Sequence, residues 1–315
     1  MIHLEQHGPV VAIRMSRALF GRPIYWTAAY WVDGLLIDTG PSCTAAELLR
    51  ALDKMPVEQV VLTHSHEDHI GGLAAVRHQF PAARIYASQR ALPTIQQPER
   101  LQLQLYRRLL WGIPKATPDV MSLDETDNQI CTPTHLFRVV ETPGYSVDHI
   151  SLYEPHQRWL FCGDVYMEGK DDAWTPEFNM FGIVSSLRTL TSLRPEKLFT
   201  GSGAVRRTPQ PELHAKIRQL VTLAREVARL EIIGLNTPEI VACLFKEESR
   251  LAFLTRGHFS ALNLVEACRA YNAIFTSELE PHNSYPEPGD RYSRFGRSSI
   301  DPLKSEPSDE NDLAG

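Results

Sequence analysis

Paired cysteines are missing from this chain. Its five cysteines, Cys43, Cys131, Cys162, Cys243 and Cys268, stand singly, with no Cys-x-x-Cys spacing anywhere. An odd, dispersed set argues against a disulfide framework and for a reducing compartment, each thiol serving as a small core residue. A basic excess is missing as well: the formal net charge is -6, so no cationic surface invites nucleic acid. No apolar run reaches the roughly 18 residues that a membrane span needs. The start, Met1-Ile2-His3-Leu4-Glu5-Gln6-His7, has neither the basic flank nor the apolar core of a signal peptide. These absences give the expectation of a cytoplasmic protein acting on a small molecule, with no nucleic-acid or membrane partner. The remaining composition, 43% hydrophobic and 22% charged over 315 residues, suits one large globular domain or one domain with an appendage.

What is present in concentrated form is ligand chemistry. The run from Val57 to Leu62 reads as a buried strand bounded by Pro56, and His64-Ser65-His66-Glu67-Asp68-His69 follows directly, then Gly71-Gly72. Imidazole and carboxylate are donors that zinc, iron or manganese accept. Alternate residues at a strand end project to one side, so His64 and His66 converge on one ion. Asp68 and His69, at the turn into the next element, reach a second position nearby.

Around that stretch the chain alternates strand and helix signals up to about residue 205, the pattern of a layered α/β core. Asp33-Gly34 between apolar runs marks a hairpin turn. Leu35-Leu36-Ile37 runs into Asp38, which either forms a turn or stands behind the metal and orients a histidine. Helices are expected over 44–54 and 72–80, and a strand at Arg84-Ile85-Tyr86-Ala87. From Leu92 to about Asp127 the pattern breaks into a helical insertion of mixed polarity. It is either a lid supplying Tyr106 and Trp111 to a pocket, or a packing or dimer surface. Strands resume at 135–140, 150–153 and 159–162, the last ending in Gly163-Asp164. Lys197-Leu198-Phe199-Thr200 reads as the final strand. Leu213 to Leu230 is an amphipathic helix, Thr237-Pro238-Glu239 opens another with proline at its first position, and a last helix runs to about Ile274. Residues 281–315, rich in Pro, Ser, Gly and charge, read as a disordered tail.

His64-x-His66-x-Asp68-His69 after a strand, Asp38-Thr39-Gly40 upstream, Thr142-Pro143-Gly144 and Gly163-Asp164 together resemble the metallo-β-lactamase-fold hydrolase superfamily over about residues 10–205. The resemblance implies an αββα sandwich at 1–208 with the insertion at 92–127. A helical region at 209–280 is more loosely similar to those of glyoxalase II-like and β-lactamase-like-2 members. It further implies that His64 and His66 bind a first metal, Asp68 and His69 a second, and that Asp164 bridges them. Two positions depart from the family pattern: Tyr145 stands where Thr-Pro-Gly-His has its histidine, and Ser202 where the last loop has another. His149 is a substitute ligand candidate, and the Tyr145 hydroxyl is a candidate for polarising a substrate oxygen. His258, in a Gly-flanked context, either reaches the site or caps and packs.

The implied activity is hydrolysis of an ester, thioester, lactone or phosphoester by metal-activated hydroxide, with one or two ions, zinc first and iron or manganese next. Asp68 would orient that hydroxide. The rival reading, motivated by Tyr145 and Ser202, is an iron-binding or catalytically weakened binding or regulatory protein, or an oxidoreductase.

Overall fold

The computed structural model describes residues 1–246 and 248–277; the tail expected at 281–315 lies outside the described residues. Strands β1 (Ile2–His7) and β2 (Val10–Met15) form an antiparallel pair, and β3 (Ala18–Leu19) with β4 (Arg22–Pro23) forms a small separate hairpin. Strands β5 (Thr27–Val32), β6 (Leu35–Ile37), β7 (Gln59–Val61), β8 (Arg84–Ala87) and β9 (Met121–Ser122) complete a seven-stranded sheet ordered β1-β2-β5-β6-β7-β8-β9. A second sheet of six strands runs in chain order: β10 (Gln129–Cys131), β11 (Leu136–Glu141), β12 (Ile150–Glu154), β13 (Trp159–Phe161), β14 (Lys197–Phe199) and β15 (Val205–Arg206).

Ten α-helices occur among the described residues. The first five are α1 (Ala45–Ala51), α2 (Glu67–Ile70), α3 (Leu73–Gln79), α4 (Leu92–Gln96) and α5 (Leu105–Trp111). The others are α6 (Met180–Ser192), α7 (Pro209–Ile232), α8 (Thr237–Phe245), α9 (Arg250–Leu254) and α10 (Ala261–Ser277).

Side-chain alternation along the strands builds the layers. In β6, Leu35 and Ile37 face the second sheet while Leu36 faces α1 and α3; in β7, Val61 faces inward and Val60 outward. In β13, Trp159 and Phe161 enter the space between the sheets, and Leu160 packs with the helical layer of α6 and α7. The central layer closes on Phe161 and Phe199, stacked with centroids 4.5 Å apart and planes 10° off parallel. The result is a helix–sheet–sheet–helix sandwich carrying further helices at its C-terminal end.

The Asp33-Gly34 turn is as short as the sequence implies, since Val32 pairs with Leu35. Both turn residues take left-handed backbone, φ 50° and 83°, which a two-residue hairpin of this twist requires. Three boundaries differ from the sequence reading. The first strand, β1, carries the polar residues Glu5 and Gln6 on an exposed edge and so lacks an apolar signature. The expected insertion at 92–127 ends early, because Met121–Ser122 rejoins the first sheet in parallel with β8. The strand at 197–199 is not the last: Val205–Arg206 turns back antiparallel to it, too short to show a period.

Candidate metal centre

The parallel pairs β6·β7 and β13·β14 bring four strand ends to one place, the location where layered sheets hold their ligands. Asp38 follows β6, the histidine motif follows β7, Asp164 follows β13 and Thr200-Gly201 follows β14. Tight backbone contacts keep them there. A Cβ on Gly72 would lie 2.3 Å from the Thr39 carbonyl, and one on Gly201 would lie 1.8 Å from Asp164 Oδ1. The motif enters α2 by bonds from the His69 and Ile70 amides to the His66 carbonyl.

His64, His69 and Asp164 are buried and each offers a donor atom within 4.8 Å of the others. His69 Nε2 lies 3.4 Å from Asp164 Oδ2 and 3.9 Å from Asp68 Oδ2, and His64 Nε2 lies 3.1 Å from His66 Nδ1. On a tetrahedral ion with bonds of about 2.0–2.1 Å, neighbouring donors stand roughly 3.3 Å apart. His69 Nε2 is moreover buried and makes no well-formed hydrogen bond, its nearest acceptor being Asp164 Oδ2 in a 3.4 Å ion pair, an arrangement that a cation between the two would also satisfy. The residues present therefore fit a divalent ion. His69 thus stands close to His64 and Asp164 as well as to Asp68, its companion in the second position that the resemblance implies.

Ionisation states divide the donors: His64 and His66 are held neutral, whereas His69 is held protonated and would have to release a proton to an ion. Burial, then the charges of the neighbouring His69 and His66, holds His64 well below the ordinary imidazole range, and burial brings His66 down to about 3. Both are neutral, as ligands must be. Burial opposes charge on His69, but Asp164, Asp38 and Asp68 outweigh it and raise its pKa. Burial pushes Asp68 up to about 7, whereas Asp164, despite burial, is held low by His69 and by the Tyr145 hydroxyl that donates to it.

Behind the donors stands a set of polar anchors. Asp38 Oδ2 lies 2.8 Å from His69 Nδ1 and accepts from the Thr63 hydroxyl at 2.8 Å, while Oδ1 accepts from the Thr63 amide at 2.8 Å. Asp148 accepts from the Ser65 amide at 2.9 Å and from Ser146 Oγ at 2.6 Å.

His149, the substitute ligand candidate, is not in the donor set. Burial keeps its imidazole neutral, with a pKa of about 4, and both nitrogens are engaged: Nε2 accepts from the Asp164 amide at 3.1 Å and Nδ1 pairs with Thr142 Oγ1 at 2.8 Å. It positions Asp164 instead. Tyr145 lies 5.3 Å and 5.1 Å, ring to ring, from His64 and His66, and its hydroxyl is near enough to Asp164 to lower that carboxyl's pKa. Ser202 Oγ donates to Glu168 Oε2 at 3.1 Å, and Thr200 Oγ1 to Glu168 Oε1 at 2.7 Å. A hydroxyl–carboxylate pair thus occupies the loop where the family has a histidine. His258 lies away from the donors, between Tyr106, at 2.8 Å, and Glu177, at 3.4 Å.

Two neighbours of the donor cluster were missed by the sequence reading. Glu67, fully buried, is held by Arg107 of α5 through bonds of 2.6 and 2.7 Å, which ties the insertion to the metal motif. Tyr25 follows the β3–β4 hairpin; 43% of the residue is exposed, but its hydroxyl is desolvated beside Asp164, Asp68 and Glu168, which raises its pKa. Its ring meets Trp111 edge-on at 5.8 Å. Only Glu67 offered a clue, as a carboxylate inside a dense ligand cluster, and its partner is 40 residues away.

The sequence matches the Metallo-beta-lactamase superfamily over residues 27–202. The hydroxyacylglutathione hydrolase of Bdellovibrio bacteriovorus is 31% identical over 129 residues, 41% of this chain and 42% of that protein. The enzyme of that name from Legionella pneumophila strain Lens is 26% identical over 141 residues, 44% and 46% of the two chains. The chain thus spans less than half the length of these relatives in the matched region. Among solved structures, a beta-lactamase domain protein from Burkholderia ambifaria has a TM-score of 0.64 at 18% identity, covering 87% of this chain and 89% of its own. A metallo-beta-lactamase family protein from Thermus thermophilus has a TM-score of 0.62 at 17% identity, covering 85% and 94%.

Proposed function

From the premise that the chain belongs to the metallo-β-lactamase superfamily, we propose that it is a metal-dependent hydrolase of a small acyl thioester or ester. The observation that carries this reading is the convergence of buried donor atoms of His64, His69 and Asp164, all within 4.8 Å of one another. The name of the relatives, hydroxyacylglutathione hydrolase, supports a thioester as the first substrate class to try. Nitrogen and carboxylate donors suit zinc, with iron and manganese as the next choices.

In this reading His64, His66, His69 and Asp164 hold the ion, and Asp38 fixes the His69 tautomer so that Nε2 points at it. A bound divalent ion supplies Lewis acidity, which polarises a carbonyl and acidifies water. Asp68, buried with its carboxylate 3.9 Å from His69 Nε2, would take a proton from the attacking water and return it to the leaving group. Tyr145 holds Asp164 charged and oriented through its hydroxyl.

The test is metal analysis of the purified protein, followed by a panel of thioesters, esters, lactones and phosphoesters. Near-stoichiometric zinc, with thioester turnover lost in His69→Ala, is the expected result. Failure to take up zinc, manganese or iron, together with no turnover, would overturn the reading. A binding protein with weakened catalysis is the second reading, favoured by Tyr145 and Ser202 at histidine positions of the family. Stoichiometric metal without turnover across the panel would select it.

A further inference from the structure

The β3–β4 hairpin and α5 meet beside the metal motif and turn a shared apolar face to solvent. Arg17 Nε donates to the Leu110 carbonyl at 3.0 Å, Tyr25 packs on Trp111, and Arg107 on the inner side of α5 holds Glu67 of the motif. On the outer side, Leu19, Phe20, Ile24, Leu105, Leu109 and Ile113 are between 49% and 96% exposed. Helix α5 fully buries none of its seven residues although three are leucine and one tryptophan. Large apolar residues grouped in this way mark an interaction surface rather than chance exposure. Phe20 is the extreme case. It sits at the hairpin tip with φ 49°, a left-handed conformation unfavourable for an aromatic residue, and 96% of it faces solvent.

Charge decides what the face is for. The segments 16–26 and 98–117 expose Arg17, Arg22, Arg100, Arg108 and Lys115 against a single exposed carboxylate, Glu99. This local cationic excess belongs to a chain whose formal net charge is -6. A two-fold pairing of these segments with a second copy would set like charges against each other. An anionic lipid surface is complementary on both counts: apolar side chains enter the boundary between headgroups and acyl chains, and the guanidinium groups meet phosphates. We propose that the β3–β4 hairpin and α5 form a docking surface for an anionic bilayer, which sets the mouth of the metal centre at the lipid–water boundary. This is attachment, not a span, since no helix among the described residues is long and apolar enough to cross a membrane. It departs from the expectation of no membrane partner drawn from sequence, which looked for long apolar runs and not for two short ones folded together.

The test is flotation of the full chain with vesicles of phosphatidylcholine alone and of phosphatidylcholine mixed with phosphatidylglycerol. Binding to the mixed vesicles only is expected, falling as salt is raised. The double substitution Phe20→Glu with Leu109→Glu should weaken binding at least about tenfold while circular dichroism and metal content stay unchanged. Arg22→Gln with Lys115→Gln should reduce the preference for anionic vesicles without removing apolar contact. Absence of flotation, or equal flotation of the Phe20/Leu109 variant, would overturn the proposal. So would a concentration-dependent dimer in sedimentation equilibrium that the same variant dissociates, because a second copy would then own the face. The readout involves no turnover, so it stands or falls separately from the hydrolase reading.

Discussion

The Asp38 carboxylate serves His69 and Thr63 at once: Oδ2 lies 2.8 Å from His69 Nδ1 and 2.8 Å from Thr63 Oγ1, and Oδ1 accepts from the Thr63 amide. One side chain therefore orients a candidate ligand and fixes the loop that carries the next one. Asp38→Asn keeps the size and one acceptor but weakens the pull on the His69 proton. Metal affinity is expected to fall about 10–100-fold, by competition with a chromophoric chelator, with little change in circular dichroism.

Gly201 is the wall behind Asp164. A methyl group there would lie 1.8 Å from Asp164 Oδ1, so Gly201→Ala must displace the carboxylate or the strand end. Expected are a loss of metal stoichiometry and a stability loss of about 1–3 kcal/mol, typical of overpacking, read by metal analysis and urea unfolding. Full occupancy in the variant would show that Asp164 is not needed to hold the ion.

Arg107 and Glu67 form a nearly dry ion pair, with 13% and 0% of their side chains exposed. Removing only the cation, as in Arg107→Met, leaves a buried carboxylate without a partner and should cost about 3–5 kcal/mol in chemical denaturation. The double variant Arg107→Met with Glu67→Met should recover most of that loss. Recovery absent from the double variant would mean that the pair contributes packing rather than charge compensation.

Glu177 gives a pH dependence with a defined sign. Its hydrogen bond from His258 outweighs burial and brings its pKa from 4.5 down to about 2. The folded protein therefore keeps this carboxylate ionised where the unfolded chain has protonated it. Its contribution to stability is complete above about pH 4.5 and disappears as pH falls through about 2. Because the side chain is 58% exposed, the effect is small, and it is best seen as a difference: Glu177→Gln should flatten the acid limb of the stability curve relative to the parent. His258 Nε2 donates to this carboxylate while Nδ1 faces the Tyr106 hydroxyl, so the same variant should loosen the insertion, visible as faster amide exchange in α5.

Much of the sandwich was legible because its strands are short apolar runs ending in polar turns. Leu35-Leu36-Ile37 before Asp38, and Trp159-Leu160-Phe161 before Gly163-Asp164, show both the core and the site edge. The local ligand cluster was legible for the same reason: four donor residues within six positions need no tertiary knowledge to be noticed. What escaped notice depends on distance along the chain. Glu67 looked like one more polar residue until Arg107 arrived from the insertion, and Tyr25 lies in a stretch with no periodic signal. His149 was left open between ligand and supporting residue because spacing says that it is near the site but not which way its two nitrogens are engaged. The edge strands β1, β9 and β15 carry too few inward residues to register as strands at all.

The donors are divided between the two halves of the sandwich: His64, His66 and His69 follow a strand of the first sheet, and Asp164 follows a strand of the second. An ion held by both would act as a bolt through the two layers. Its removal would leave the apolar contacts between the sheets and backbone ties such as Ile150 to Thr63 in place but release the link through the ion, so the halves would acquire more freedom to shear. The metal-free protein should then lose cooperativity before it loses helix or strand, making occupancy a determinant of mechanical unity as well as of chemistry.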